Sequence, residues 1–400
     1  MRRRTSTALA WLVGLTTGCA GDDGGGASAT ETAAPSTTDA TPTASTTSAP
    51  STTDPDTTAA ATGTTADDTG PSTADTSTGP GLEGTLELWW IDTEGGAATL
   101  MVTPEGSLVL VDAGNPGDRD ADRIAAVVQG ELGADHIDLC IVTHYHGDHV
   151  GGVPPLLERV PIDAFWDHGD SVEQGSMSGM QLWQDYLAAA AGKRTVVTAG
   201  QVHDVGGLEI SIVAAAGALI DAPRPGAGAP NPACRGATSM PPPDNENNQS
   251  IGVVARFGSF DFLDLGDLYW DQEQALVCPN DLLGPIDLYQ TTHHGLSASG
   301  AESLVHGLAP RVVVMNNGPH KGGAPQTFDI VASAPGSPDL WQVHRSLDAD
   351  DAHNTADELI ANPGEDAADE GHWVRAVVDA TGRIELTNGR NGHTRVYQAR

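Results

Sequence analysis

Positive charge is what this 400-residue chain has least of. It holds 19 Lys and Arg against 54 Asp and Glu, a formal net charge of −35. The deficit is not confined to the N-terminus. Setting aside the three arginines at 2–4 and the nine acidic residues of 20–80 leaves 45 acidic and 16 basic side chains from residue 81 on, a net of −29. A surface of that sign repels polyanions at long range, so nucleic acid is disfavoured as a tightly held partner, although a single phosphate can still reach a metal centre. Long apolar runs are also missing. Past Cys19 no segment has the ~20 apolar residues of a membrane-spanning helix, so no channel is expected of this chain alone. Cysteine is scarce, with four in all. Cys140 lies in an apolar stretch and reads as a small buried hydrophobe, while Cys234 and Cys278 could pair in an oxidising compartment or stay apart.

What is present begins with a leader. Arg2, Arg3 and Arg4 precede the apolar segment Ala8 to Leu15, and small residues end at Cys19. That order is the pattern of a secretion signal, and Leu15-Thr16-Thr17-Gly18-Cys19 resembles a bacterial lipoprotein processing site. Residues 1–19 are therefore expected to direct the chain out of the cytoplasm, with Cys19 carrying a lipid anchor and simple secretion as the alternative. Residues 20–80 are dominated by Ala, Ser, Thr, Pro, Asp and Gly, too poor in apolar surface to offset the entropy of ordering them. They read as a tether, and 81–400 as the folded domain.

From Leu82 strands and helices alternate. Leu86 to Ile91, Thr99 to Thr103, Leu108 to Val111, Ile137 to Val142, Leu208 to Val213, Ile251 to Phe257, Phe260 to Leu265, Arg311 to Met315, Trp373 to Asp379 and Arg383 to Thr387 read as strands. Asp120 to Leu132, Pro154 to Arg159 and Gln181 to Ala191 read as helices, and the Pro- and Asn-rich stretch Asp221 to Gln249 as a long loop over one face. Strands and helices mixed in this order suggest an α/β fold of two sheets with helices outside.

The densest chemistry is Thr143-His144-Tyr145-His146-Gly147-Asp148-His149, directly after the apolar run Ile137 to Val142. Imidazole and carboxylate suit zinc and its first-row neighbours. At the end of an extended segment residues two apart project to one side, so His144 and His146 can grip one ion together. Asp148 and His149 can hold a second ion, or another face of the same one. A His-rich surface loop is the bland alternative, and the preceding strand argues against it.

These residues, with LELWWIDTEGGAATLMVTPEGSLVLVDAG, THYHGDHVGG, NNQSIGVVARFG, FLDLGD and TTHHGLSAS in order, resemble the metallo-β-lactamase superfamily. Within it they are most similar to the hydrolase domain attached to the DNA-uptake channel of competent bacteria, the ComEC-like branch. The resemblance implies a four-layered αβ/βα sandwich with two divalent metal ions between its sheets, zinc first and manganese as the alternative. It implies that His144 and His146 hold the first ion, Asp148 and His149 the second, and that Asp267 bridges them. Of His293 and His294, the first is expected to ligate and the second to serve as general acid or orienting group; Asp148 is counted with His294 among the catalytic groups. Asp112, in VDAG, is expected beneath the motif, orienting a ligating His. One departure stands out: where many members supply a further His, this chain has Asn247, Asn248 and Gln249, so the first ion would lack a ligand or be completed by His320.

The expected activity is extracytoplasmic, metal-dependent hydrolysis of a small-molecule or phosphodiester substrate through a hydroxide bridging the two ions. Lactones, thioesters or β-lactams on the same scaffold are the second possibility, and a metal-binding surface module without catalysis is the third.

Overall fold

The computed structural model describes residues 84–238, 240–241, 243–364 and 371–400. The expected signal segment, Cys19 and nearly all of the tether lie outside them. Six strands come first: β1 (Thr85–Trp90), β2 (Thr99–Val102), β3 (Leu108–Val111), β4 (Ile137–Ile141), β5 (Ile162–Asp167) and β6 (Arg194–Val196). A second set follows, β7 (Val202–Val205), β8 (Leu208–Ala215), β9 (Ala218–Leu219), β10 (Gly252–Phe257), β11 (Phe260–Asp264), β12 (Leu288–Gln290), β13 (Val312–Met315), β14 (Asp339–His344) and β15 (Ile360–Asn362). The chain then returns with β16 (Val374–Asp379), β17 (Arg383–Asn388) and β18 (Thr394–Gln398). One sheet has the order β18-β17-β16-β1-β2-β3-β4-β5-β6, the other β15-β14-β13-β12-β11-β10-β8-β7, with β9 added beside β8.

The layers follow from alternation. In β1, Leu86, Leu88 and Trp90 join a core shared with Ile210, Val253, Phe262, Val314 and Trp341 of the other sheet, whereas the intervening Trp89 points to the opposite face. Period two turns one strand into two faces. The outer face of the first sheet packs on α1 (Asp118–Ala125), α3 (Val153–Leu157) and α4 (Met177–Ala189). That of the second packs on α5 (Trp270–Val277), α6 (Glu302–Leu308) and α7 (Pro325–Ala332). Helix, sheet, sheet, helix is the expected four-layered α/β sandwich.

Within each sheet one block is parallel: β3, β4, β5 and β6 in the first, and β11 through β15 in the second. Parallel strands bring their carboxyl ends to one edge, where ligand sites of α/β proteins gather. A buried polar clamp ties the sheets behind that edge. Gln290 Oε1 accepts from Trp90 Nε1 (2.7 Å) and Thr99 Oγ1 (2.7 Å), and its Nε2 donates to Asp264 Oδ2 (3.0 Å).

The stretch Asp221 to Gln249 is, over its described residues, a loop with 3-10 turns at Pro232–Cys234 and Glu246–Gln249, and its anchors include two between side chains. A Cys234–Cys278 disulfide fastens it to the end of α5, and Arg224, buried, pairs with Asp261 of β11 (3.1 Å). Cys140 is free and buried, as its apolar setting suggested. Among the described residues no helix is long and apolar enough to cross a membrane.

Candidate metal centre

The chain leaves β4, passes Thr143 and His144, and turns into the single-turn helix α2 (Gly147–Val150), with His146 at its N-cap in extended conformation. This break points His144 Nε2 and His146 Nδ1 at each other, 3.2 Å apart. Two ring nitrogens at that separation can share one target. The turn that follows brings Asp148 and His149 to the other side. Gly152 makes room for it, because a Cβ there would run into the Ala113 carbonyl.

Opposite stand residues from the second sheet. Asp267 follows β11 by three positions, its amide donating to Ser250 Oγ (3.1 Å). His293 and His294, just past β12, both have left-handed backbones, at φ 56° and 55°. Two consecutive non-Gly residues in that region store strain that persists only where surrounding structure enforces it, which is a mark of functional sites. Here the enforcement is visible: the His293 amide donates to the Gly266 carbonyl (2.9 Å) and the His294 carbonyl accepts from Gly323 (3.0 Å).

One donor atom each from Asp148, His149, Asp267 and His294 lies within 4.8 Å of the other three. His149 Nε2 is 3.2 Å from Asp148 Oδ2, 3.2 Å from Asp267 Oδ2 and 3.1 Å from His294 Nε2. Asp267 also faces the first pair, at 3.8 Å from His144 Nε2, and His293 Nε2 at 3.4 Å. It is the one carboxylate that touches both ends of the cluster.

Each imidazole is oriented through its other nitrogen. Asp112, at φ 59°, accepts from the Thr143 amide (2.8 Å) and hydroxyl (2.7 Å) and contacts His149 Nδ1 at 2.7 Å. Glu173 lies 3.2 Å from His146 Nε2, Ser299 Oγ 3.2 Å from His293 Nδ1, and Ser250 Oγ 3.3 Å from His144 Nδ1. Asn316 stands 3.4 Å from His294 Nδ1. A hydrogen-bond partner on one ring nitrogen leaves the other free for a cation, the usual support of metal-bound histidine.

Protonation follows burial and neighbours. Burial drives His144 well below the ordinary imidazole range, and His149 beside it pushes the same way. Burial likewise takes His293 down to about 4 against the pull of Asp267. Both present lone pairs at neutral pH. For His149 and His294 burial again favours the neutral ring, but Asp267, joined by Asp148, outweighs it and raises both. Burial pushes the Asp148 and Asp267 carboxyls up, and the imidazoles around them reverse that and hold both well below the usual range. Positive charge, on the rings or on a bound cation, is thus what these two buried carboxylates favour beside them.

The donor set fits divalent metal. Asp148, His149, Asp267 and His294 would hold one ion, and His144 and His146, with Asp267 facing His144, are the residues to which the resemblance assigns another. The sequence assigns ligation to His293 and proton transfer to His294. The structure places Nε2 of His294 inside the four-donor group and 3.5 Å from Asp267 Oδ1, while His293 Nε2 faces Asp267 Oδ2 (3.4 Å) and Asn247 Nδ2 (3.3 Å). The double left-handed turn sends the adjacent rings to different oxygens of Asp267. Asn247, where a further His was missed, is buried, and its Oδ1 has no hydrogen-bond partner among the described residues. His320 is half exposed and paired with Asp348 (2.9 Å).

Glu173 and Lys321 are among the residues of the site not singled out by sequence. Glu173 lies in a loop after β5 with no motif around it. Lys321, whose Nζ bonds Asp148 Oδ2, was discoverable from composition, since the chain has only two lysines, Lys193 and Lys321.

Comparison with known proteins agrees with this arrangement over the N-terminal half of the domain. Residues 92–214 match the model of the metallo-beta-lactamase superfamily. A UPF0173 metal-dependent hydrolase from Cupriavidus metallidurans is 34% identical over 98 residues, 23% of this chain and 30% of that protein. An atrochrysone carboxyl ACP thioesterase from Aspergillus fumigatus is 31% identical over 113 residues, 27% of this chain and 25% of that protein. The chain thus spans under a third of the length of these curated relatives. Among solved structures, the metallo-beta-lactamase fold protein YhfI from Bacillus subtilis is similar at TM-score 0.41 and 13% identity, over 64% of this chain and 96% of that one. The segment similar to that superfamily, residues 92–214, includes His144, His146, Asp148 and His149 and ends within β8, before Asp267, His293 and His294.

Proposed function

We propose that this protein is an extracytoplasmic hydrolase that uses two divalent metal ions, zinc in the first instance, to cleave phosphodiester-type substrates. The observation that carries the reading is Asp267. A buried carboxylate shared by a four-donor group and a His pair, drawn from two sheets, is costly unless cations compensate it. Ions held there would supply an activated water and positive charge for the developing transition state. The chain's own residues do the positioning. Asp112 fixes His149 and ties it to Thr143 at the end of β4, Glu173 fixes His146, and the left-handed turn aims His293 at Asp267 Oδ2 and His294 at Asp267 Oδ1. His293, neutral at pH 7, offers a lone pair rather than a proton.

The leader sequence and the Cys234–Cys278 disulfide support a location outside the reducing cytoplasm, with Cys19 as the proposed lipid anchor. Hydrolysis of a thioester or lactone is the second reading, favoured by the thioesterase among the relatives. Metal analysis of protein purified without chelator, followed by assay of the zinc- and manganese-loaded forms on phosphodiesters, lactones, thioesters and β-lactams, decides between them. About two ions per chain and preference for diesters are expected. Preference for a thioester moves the assignment to the second reading, and absence of bound metal after supplementation removes both.

A further inference from the structure

Lys321 is placed for more than neutralising Asp148. Its backbone is anchored in the loop after β13, where the Lys321 carbonyl accepts from the Gly318 amide (2.8 Å). Gly322, at φ +76°, lies so close to His294 that a Cβ would strike the His294 carbonyl, and a Cβ on Gly95 would strike Lys321 itself. The root of the side chain is therefore fixed beside a candidate ligand, while the side chain is 38% exposed and ends on Asp148 of the four-donor group. Nearby cations are otherwise engaged: Arg119 pairs with Glu94 and Asp120, and Arg123 with Asp92. Among the described residues the ion-pair partner of Lys321 is Asp148.

That partner is a donor of the four-donor group, and the same oxygen, Oδ2, faces His149 and His294. A cation held by the group competes with the ammonium for this oxygen and repels it. An ammonium is a compact charge on a four-carbon stem, so with its root fixed it can leave Asp148 and still remain beside the four-donor group. In a domain of net charge −29 this is one of two lysines, and it is partly exposed to solvent beside the four-donor group. We infer that Lys321 is a substrate anchor, holding an anionic oxygen of the group being cleaved and so favouring phosphodiesters over neutral esters.

The inference rests on the hydrolase reading above, and the test separates the two. Full-length zinc-loaded protein, its Lys321→Met and its Lys321→Arg variants are compared for zinc content, for binding of inorganic phosphate by calorimetry, and for KM on a p-nitrophenyl phosphodiester and a neutral p-nitrophenyl ester. Lys321→Met should keep its zinc, bind phosphate about 10-fold or more weakly, the scale of a lost charge-assisted hydrogen bond, and show a raised KM on the diester alone. Lys321→Arg should recover most of the phosphate affinity. Unchanged phosphate affinity in Lys321→Met overturns the anchor and leaves the hydrolase standing, as does an equal loss on both substrates. Loss of zinc from Lys321→Met also overturns it, because the residue would then be the counter-charge of Asp148. Wild-type protein that takes up no zinc overturns the hydrolase and the anchor together.

Discussion

The two sheets furnish the candidate centre in different ways. The first supplies His144, His146, Asp148 and His149 from one six-residue run after β4, while the second supplies Asp267, His293, His294 and Lys321 singly or in pairs from the ends of β11, β12 and β13. On the first side a strand end and one helical turn aim the donors locally. On the second side nothing in the local sequence brings Asp267 to His294. Parallel pairing of β11, β12 and β13 does so, helped by backbone strain at the two histidines. The centre is therefore a contact between a preformed cradle and a lid of converging groups, with Asp267 as the group that reaches both ends.

That contrast is broken most directly at Asp267. Asp267→Ala should release bound ion and cost more than the roughly 10- to 100-fold typical of losing a supporting partner, because both halves lose a donor. Metal content and kcat/KM measured together check it. A variant that kept two ions with only a modest loss would mean that the first sheet holds the metals without help.

Asp112→Ala comes next, at about 10- to 100-fold. Its ring partner His149 stays in place as a donor but loses the carboxylate that sets its tautomer. Ion affinity by calorimetry should fall while the fold, followed by circular dichroism, persists. Equal losses for Asp112→Ala and Asp267→Ala would erase the distinction between holding an ion and orienting a ligand. Within the second sheet, His294→Ala should weaken ion binding more than His293→Ala, since only His294 belongs to the four-donor group; the reverse order would restore the roles expected from sequence.

How legible the two sides were differs for the same physical reason. Ile137 to Val142 followed by HYHGDH announces a strand and its ligands because period and chemistry are contiguous. Strands Leu108 to Val111, Val312 to Met315 and Val374 to Asp379 were likewise within a residue of expectation. β5, with Asp163 and Asp167 among its apolar residues, and β14, with Gln342 and His344, escaped notice because their polar groups are satisfied by tertiary partners: Asp167 by Arg194 and Tyr186, Gln342 by Asn354. Helices α5, α6 and α7 are seven or eight residues long and carry weak periodicity. For the site, HHG could be read as ligands but not divided between roles, because the left-handed turn that separates the rings has no sequence signature in histidine. Glu173 and Lys321 owe their roles to loops that only the folded sheets bring together.

A smaller effect tests the protons. His149 and His294 are raised by Asp267 and its neighbours despite burial, so in the metal-free protein they hold protons to higher pH than an ordinary imidazole near 6.5. A protonated ring has no lone pair, so each ion bound there must release protons. Zinc affinity should therefore strengthen as pH rises above about 6.5, and calorimetry in buffers of different ionisation enthalpy should register proton release. His144 and His293, pushed down by burial, contribute no such dependence in that range. If affinity were flat from about pH 6 to 8, the protons would not lie on the four-donor group.

The smallest expected change is at Glu173, and it asks whether the cradle is preformed. Glu173 Oε1 lies 3.2 Å from His146 Nε2 and also accepts the Glu246 amide (3.1 Å), while its side chain is 30% exposed. Solvent can replace an exposed carboxylate far better than a buried one, and pairs of that exposure contribute at most about 1 kcal/mol. Glu173→Gln retains an acceptor for the His146 ring and for the Glu246 amide, so ion affinity should fall by no more than about 5-fold, with Glu173→Ala somewhat worse. The orientation of His146 would then be owed chiefly to its place at the start of α2 and its extended backbone. A Glu173→Gln loss as deep as that of Asp112→Ala would show instead that the first pair of histidines depends on the loop after β5, and the N-terminal side would be as much a product of tertiary convergence as the C-terminal one.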